Sequence, residues 1–296
     1  MSKNEVGILE IEGNEIKVSH PDKLLWPGLG ITKLLYLQKL AALAPYLLPY
    51  CKDRYLTTIR YPNGVPGKFF YQKNAPHPLP SYVHIAAKAG VNYIHLDSLS
   101  TLLWLGNLAT IEFHTSFEYI GNEEPAEWVL DIDPSDENEP RLMEAIAIIG
   151  ETLESLGVKS IPKTSGATGV QIMIPIQAGH TFGQLRKVGL FISEYLVKKH
   201  HELFTIERLI KNRGGKIYID FIQHGLGKSI AAPYTPRGRA EATVSTPLTW
   251  VEVKRDIDPK LFNILTIEKR LADKGELIAT IKKQDLSSIF KAYDSF

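Results

Sequence analysis

Two aspartates open the case for chemistry. Asp131 and Asp133 stand two apart in Trp128-Val129-Leu130-Asp131-Ile132-Asp133-Pro134. Side chains two apart on a strand share a face. Both carboxylates therefore point one way, and Leu130 and Ile132 the other. Paired carboxylates at this spacing suit a hard divalent cation such as Mg2+ or Mn2+. Without a cation, two crowded anions are costly unless well solvated; a solvated strand end is the plain alternative. Asp220 interrupts the apolar run Ile217-Tyr218-Ile219-Asp220-Phe221-Ile222. An acid there needs a metal, backbone donors, or an arginine such as Arg213 or Arg237. Three carboxylates from two strands make a two-metal site for phosphoryl transfer.

Other residues offer phosphate contacts. The turn Lys163-Thr164-Ser165-Gly166-Ala167-Thr168-Gly169 has the small residues and hydroxyls of a backbone nest. It is no P-loop, because Lys163 precedes the glycines and no Gly-Lys-Ser/Thr follows. Arg237 and Arg239 flank Gly238 after the turn Pro233-Tyr234-Thr235-Pro236, and paired guanidiniums on a constrained loop clamp phosphate well. His114 sits in Ile111-Glu112-Phe113-His114-Thr115, where a structural histidine is the ordinary outcome. Phe69-Phe70-Tyr71-Gln72-Lys73-Asn74 joins stacking rings to a cation, a pattern that fits nucleic acid as well as a core.

These residues must be positioned by regular elements. Alternation around Gly13-Asn14 predicts a hairpin over 6–18. Thr32 is a fitting N-cap for a helix over 33–48. Strands are expected at 56–61, 68–73, 91–96, 110–114, 128–133, 161–165, 170–175 and 216–222, with a strand end at 242–247. Helices are expected at 98–108, 141–156, 182–199 and 259–273. Several strands follow one another directly. That irregular order predicts an α+β fold with mixed or antiparallel sheets rather than a strict βαβ array, in one domain over 1–296.

Composition narrows the class. The chain has 296 residues, 44% hydrophobic and 23% charged, enough for a sizeable core. No apolar run is long enough for a membrane span, and Met1–Glu5 leads into no apolar core of a secretory signal. The single cysteine, Cys51, excludes an internal disulfide framework and a cysteine zinc site. A reducing cytoplasm is the expected compartment. Net charge is only +1, yet residues 118–154 carry 12 acids against one base, and 198–239 carry nine bases against three acids. Such a chain can hold a cation at one place and phosphates at another.

Taken together, the motifs resemble the polymerase domain of bacterial and archaeal ligase D, a branch of the archaeo-eukaryotic primase superfamily. The resemblance runs from His20-Pro21-Asp22-Lys23-Leu24-Leu25-Trp26-Pro27 through Phe69–Asn74, Glu112-Phe113-His114, Leu130–Pro134, Lys163–Gly166 and Tyr218-Ile219-Asp220. It ends in Ala232-Pro233-Tyr234, Arg237 and Val244–Trp250. It implies a primase-polymerase fold with an active-site cleft flanked by helices. It also implies template-directed addition of nucleotides, ribonucleotides preferred, to DNA 3′ ends at gaps and breaks in non-homologous end joining. By resemblance, Asp131, Asp133 and Asp220 are catalytic and ligate two Mn2+ or Mg2+ ions. His114, Lys163, Ser165, Gln171, Arg213 and Arg237 belong to the nucleotide pocket. Phe69 and Phe70 stack near the template, and Lys73 with Arg60 grips a 5′-phosphate across a gap. The implied partners are nucleoside triphosphates, DNA ends or gapped duplex, the end-binding protein Ku and a DNA ligase. The implied location is the prokaryotic cytoplasm, near the nucleoid.

Two positions depart from the family pattern. After Lys-Thr-Ser-Gly the family usually has a small residue and then Lys-Gly-Leu-His. Here Thr168 replaces the lysine and Gln171 the histidine, which removes two cationic contacts. Two rivals stand beside this reading. One is a haloacid-dehalogenase-like phosphatase using Asp131-x-Asp133, weakened because no second acid follows Asp220 closely. The other is a DNA-end-binding scaffold with structural carboxylates.

Overall fold

The computed structural model describes residues 6–294. Met1–Glu5, read above for a secretory signal, lies outside the described residues. In chain order the elements begin with β1 (Val6–Ile11), β2 (Asn14–Ser19), β3 (Leu24–Trp26), β4 (Ile31–Thr32) and α1 (Lys33–Cys51). There follow β5 (Arg54–Arg60), β6 (Phe70–Gln72), β7 (His84–Lys88), β8 (Val91–His95), α2 (Leu99–Asn107) and β9 (Thr110–Tyr119). Next come β10 (Glu127–Asp133), α3 (Leu142–Ser155), β11 (Ile161–Thr164), β12 (Val170–Pro175), α4 (Phe182–Lys199), β13 (Phe204–Thr205) and β14 (Ile217–Asp220). The chain continues through β15 (Ser229–Ala231), α5 (Trp250–Lys254), α6 (Ile267–Lys274) and α7 (Ser287–Asp294). The fold is α+β, with sheets that are antiparallel apart from one parallel β13–β14 pair among the recorded registers.

Contacts divide the chain into two compact units. The first comprises residues 1–116, 229–245 and 260–273. Its four-stranded sheet has the order β15-β9-β5-β6. Helix α1 starts where the Thr32 side chain accepts from the Leu35 amide at 3.2 Å. It carries Pro45 and Pro49 in its interior. Complete burial of Leu40, Leu43 and Leu47 in the unit's core outweighs that poor propensity.

The second unit comprises 117–228, 246–259 and 274–296. Its five-stranded sheet has the order β11-β12-β10-β14-β13. Trp128, Leu130 and Ile132 are buried on one face of β10, with Trp128 and Leu130 beside Gly189 of α4. Asp131 and Asp133 take the other face, both half-buried. A capping box between Thr181 and Gln184 sets the start of α4.

Two expected elements are corrected. Residues 242–247 form no strand; they make only isolated bridges, Pro236 to Val244, Thr243 to Asn263 and Lys163 to Pro247. The helix expected over 259–273 begins as a 3-10 turn at Pro259–Leu261 and becomes α-helical only at Ile267. The Asn263 side chain is the cause. It accepts from the Leu265 and Thr266 amides at 3.0 and 3.2 Å and so breaks the early helical ladder. Among the described residues, no helix is long and apolar enough to cross a membrane.

Candidate active site

The second unit builds an acidic face from strand register alone. Asp131 of β10 stands opposite Asp220 of β14, and Asp133 opposite Tyr218. On the other side of β10, Asp131 stands opposite Gln171 of β12, and Gln171 opposite Lys163 of β11. Lys163, Gln171, Asp131 and Asp220 therefore form one row across four strands, and cross-strand partners share a face. Lys163 is fully buried and donates to the Gln171 side-chain oxygen. Gln171 is buried as well, and its amide hydrogen-bonds Asp131. The glutamine thus links the ammonium to the carboxylate.

The electrostatics follow from this crowding. Burial, then the charges of Asp133 and Asp220, push the Asp131 carboxyl up to about 7, against the pull of Gln171 and Lys163. Burial, then Asp220, pushes Asp133 up, opposed by Arg213. Asp220 is held from behind: one carboxylate oxygen accepts from the Ile222 and Gln223 amides at 3.0 and 2.8 Å. Arg237 binds Glu112, and Arg213 donates to the Glu207 and Arg208 carbonyls while lying 4.1 Å from the Tyr218 ring centre.

The donor set fits a divalent metal. It offers hard carboxylate oxygens only, on a shared face, with like charges that a cation would relieve. Like charges without a counter-ion repel. Among the described residues no three His, Cys, Asp or Glu side chains are gathered at ligand spacing.

The Gly-rich turn lies against this face. Ser165 Oγ accepts from the Ala167 and Gly169 amides, both at 3.1 Å, and the Ser165 amide donates to the Gly169 carbonyl at 2.9 Å. Gly169 cannot be larger. A Cβ there would strike the Ile132 carbonyl oxygen and come within 3.0 Å of Asp133 Oδ1.

The first unit holds a separate cluster centred on Glu112. Its Oε2 lies 2.9 Å from His114 Nε2 and 2.8 Å from Arg237 Nε. Its Oε1 accepts from Tyr61 at 3.2 Å and from the Gly238 amide at 2.9 Å. Burial alone would raise the Glu112 carboxyl. His114, Arg237 and the Gly238 amide outweigh burial and hold the carboxyl at about 2. Gly238 is required here, because a Cβ would strike the Tyr61 hydroxyl. His114 and Arg237, expected in one pocket, are thus joined by one carboxylate.

Phe69 and strand β6 carry the expected aromatic cluster. Phe69, Phe70 and Tyr71 are all exposed, and Phe70 pairs with Arg60 across β5. The Arg60 guanidinium lies 5.3 Å from the Phe70 ring centre, and donates to the Leu108 carbonyl and to Gln72 at 2.9 and 3.0 Å. Lys73 is exposed just beyond. Three large exposed aromatic rings beside a cation fit a base-stacking surface better than a core.

Sequence reasoning assigned no role to Glu112, Tyr61 or Tyr218. The signal for Glu112 was present: an acid two residues from His114 in an apolar strand must share its face. Tyr61 and Tyr218 gave no such sign.

The comparisons concern the family and the fold. Residues 32–278 match the family described as "LigD, primase-polymerase domain". The bifunctional non-homologous end joining protein LigD of Bacillus subtilis is 39% identical over 256 residues, which is 86% of this chain and 42% of that protein. The multifunctional non-homologous end joining protein LigD of Pseudomonas aeruginosa is 29% identical over 263 residues, covering 86% of this chain and 31% of that protein. A solved polymerase domain from Mycobacterium tuberculosis ligase D, in complex with DNA, superposes with a TM-score of 0.80 at 26% identity, over 90% of this chain and 97% of that one. The chain spans less than half the length of these two LigD relatives. The motif resemblance and the α+β fold are both borne out, and the chain belongs to the LigD primase-polymerase domain family.

Proposed function

We propose that this chain adds nucleotides, ribonucleotides preferred, to DNA 3′ ends at gaps and breaks in end joining, under the direction of a template strand. One observation carries the reading: Asp131 faces Asp220 across β10 and β14, with Asp133 on the same face. Like charges at direct cross-strand positions destabilise a fold, so chemistry is the better account of them. Family membership supports the substrate class, as does the DNA-bound relative.

Asp131, Asp133 and Asp220 would hold two divalent ions, Mn2+ or Mg2+. Held there, such ions would supply Lewis acidity to the attacking 3′-hydroxyl and positive charge to the departing pyrophosphate. A bond forms between the 3′-oxygen and the α-phosphorus, the hydroxyl proton passes to solvent, and the α–β phosphoanhydride breaks to release pyrophosphate. His114 and Arg237, oriented by Glu112, bind triphosphate oxygens with charge-assisted hydrogen bonds. The Ser165 hydroxyl adds a neutral contact. Lys163 is too deeply buried to reach outward; through Gln171 it steadies Asp131. Arg213 tempers the charge of Asp133. Phe69 and Phe70 offer faces for template bases, and Lys73 with Arg60 offers positive charge to a 5′-phosphate. Ku and a DNA ligase are the proposed partners, one holding the ends before addition and the other sealing them after it.

The test is primer extension on a one-nucleotide-gap duplex, with and without a 5′-phosphate, supplied with UTP or dTTP and Mn2+. The reading expects templated addition, stimulated by the phosphate and faster with UTP. Duplex binding with no addition in any lane would instead identify a scaffold.

A further inference from the structure

Tyr218 is completely buried on β14 and stands opposite Asp133, two residues before Asp220. Spacing and register put its side chain on the acidic face. Its ring is clamped, with the Arg213 guanidinium stacked 4.1 Å from the ring centre. Arg213 is itself buried and tied to two backbone carbonyls at 3.2 and 3.0 Å, so the ring has little freedom. A phenol keeps its proton at neutral pH and can donate. The hydroxyl lies close enough to Asp220 to feel that carboxylate as an acceptor, yet it completes no hydrogen bond of ordinary geometry among the described residues. Buried hydroxyls are nearly always paired, and one that is not costs stability. Phenylalanine would fill the same space without that cost.

Asp220 supplies the complement. One of its oxygens is committed to the Ile222 and Gln223 amides. The carboxylate can therefore pivot only about that anchor, and its second oxygen is the one left to face the site. Metal-ligating carboxylates are commonly held in orientation by a hydrogen-bond donor behind them.

We propose that Tyr218 is a positioning residue whose hydroxyl donates to Asp220 once the acidic face takes up a divalent cation, locking that carboxylate in its ligating orientation. The proposal rests on the metal-binding reading above. It gives a use to a fully buried hydroxyl on the acidic face that completes no ordinary hydrogen bond. It also gives Arg213 a purpose beyond charge, as the plate that fixes the phenol ring.

The test is Mn2+ binding to the full chain by titration calorimetry, for the wild type, Tyr218→Phe and Asp131→Asn, with thermal unfolding in chelator alongside. The expected result has three parts. Wild type binds Mn2+. Tyr218→Phe binds it about tenfold more weakly. In chelator Tyr218→Phe melts at the same temperature as wild type or ~2 °C higher, since an unpaired buried hydroxyl is gone. Unchanged Mn2+ affinity in Tyr218→Phe overturns the proposal while leaving the metal site standing. A melting temperature well below wild type in chelator also overturns it, because the hydroxyl then serves the fold itself. If wild type binds no Mn2+, or Asp131→Asn binds it as tightly as wild type, the underlying reading fails, and the proposal with it.

Discussion

Asp131 and Asp220 are direct cross-strand partners, two carboxylates facing each other on neighbouring antiparallel strands. Like charges so placed repel, at a cost of ~0.2–1 kcal/mol even when partly solvated. Burial adds to that cost by holding Asp131 near a pKa of about 7. The ion-free fold is therefore under electrostatic tension where the proposed chemistry occurs.

The first prediction follows directly. Asp131→Asn keeps the shape and an acceptor for Gln171 but removes one charge. In chelator the variant should melt ~2–4 °C above wild type, and it should lose nucleotide addition by a factor of ~100 or more. The pH dependence has a definite sign. The folded pKa of Asp131 lies above the unfolded value of ~3.9, so its proton stabilises the folded chain at low pH. That contribution is lost as pH rises through about 7. Wild type in chelator should lose stability across that window, and Asp131→Asn should not. Thermal melts at pH 5, 6, 7 and 8 check this.

Glu112 behaves in the opposite sense. Its folded pKa of about 2 lies below the unfolded value, so its stabilising contribution is present above pH ~4.3 and disappears as pH falls toward 2. The shift corresponds to roughly 3 kcal/mol for this buried group. Glu112→Ala takes an acceptor from the Arg237 guanidinium, the Gly238 amide and the Tyr61 hydroxyl together, and should cost ~2–4 kcal/mol at pH 7. Glu112→Gln should cost less and weaken nucleotide binding by misorienting His114 and Arg237. Denaturant unfolding and the nucleotide KM report the two effects separately.

Gly169 is set by contact rather than by turn conformation. Gly169→Ala places a methyl group against the Ile132 carbonyl and beside Asp133. The strand must shift, at ~1–3 kcal/mol. Addition should fall further than global stability explains, because the displaced strand carries two of the three carboxylates. Comparing kcat at a temperature well below both melting points makes the distinction.

Thr168 stands where the family pattern has lysine. Restoring the charge with Thr168→Lys should lower the nucleotide KM by up to about tenfold, the value of one charge-assisted contact near 1.4 kcal/mol. Its kcat should barely change. Steady-state extension kinetics across a nucleotide titration decide it.

Much of this was legible in the residues themselves. Alternation around Asp131 placed both β10 carboxylates on one face, and Thr32 marked the start of α1 where it occurs. Short strands such as β7 and β15 escaped, because three to five residues carry too little periodicity to separate strand from loop. The α5 helix escaped for a different reason: its Thr249-x-x-Glu252 capping box was present, but only five residues follow the cap. The shared row of Lys163, Gln171, Asp131 and Asp220 was out of reach, because register is a property of strand pairing. Gln171 therefore read as a lost cation, whereas its place in the row makes it the link between Lys163 and Asp131.

The central claim is that Asp131, Asp133 and Asp220 together serve nucleotide addition. Its most direct test is single-nucleotide incorporation with Mn2+ into a gapped duplex by wild type and by Asp133→Ala, with duplex binding measured in parallel by fluorescence anisotropy. Wild type should insert the templated nucleotide, and Asp133→Ala should insert none while binding the duplex within about twofold of wild type. Insertion by Asp133→Ala at a rate near wild type would contradict the account.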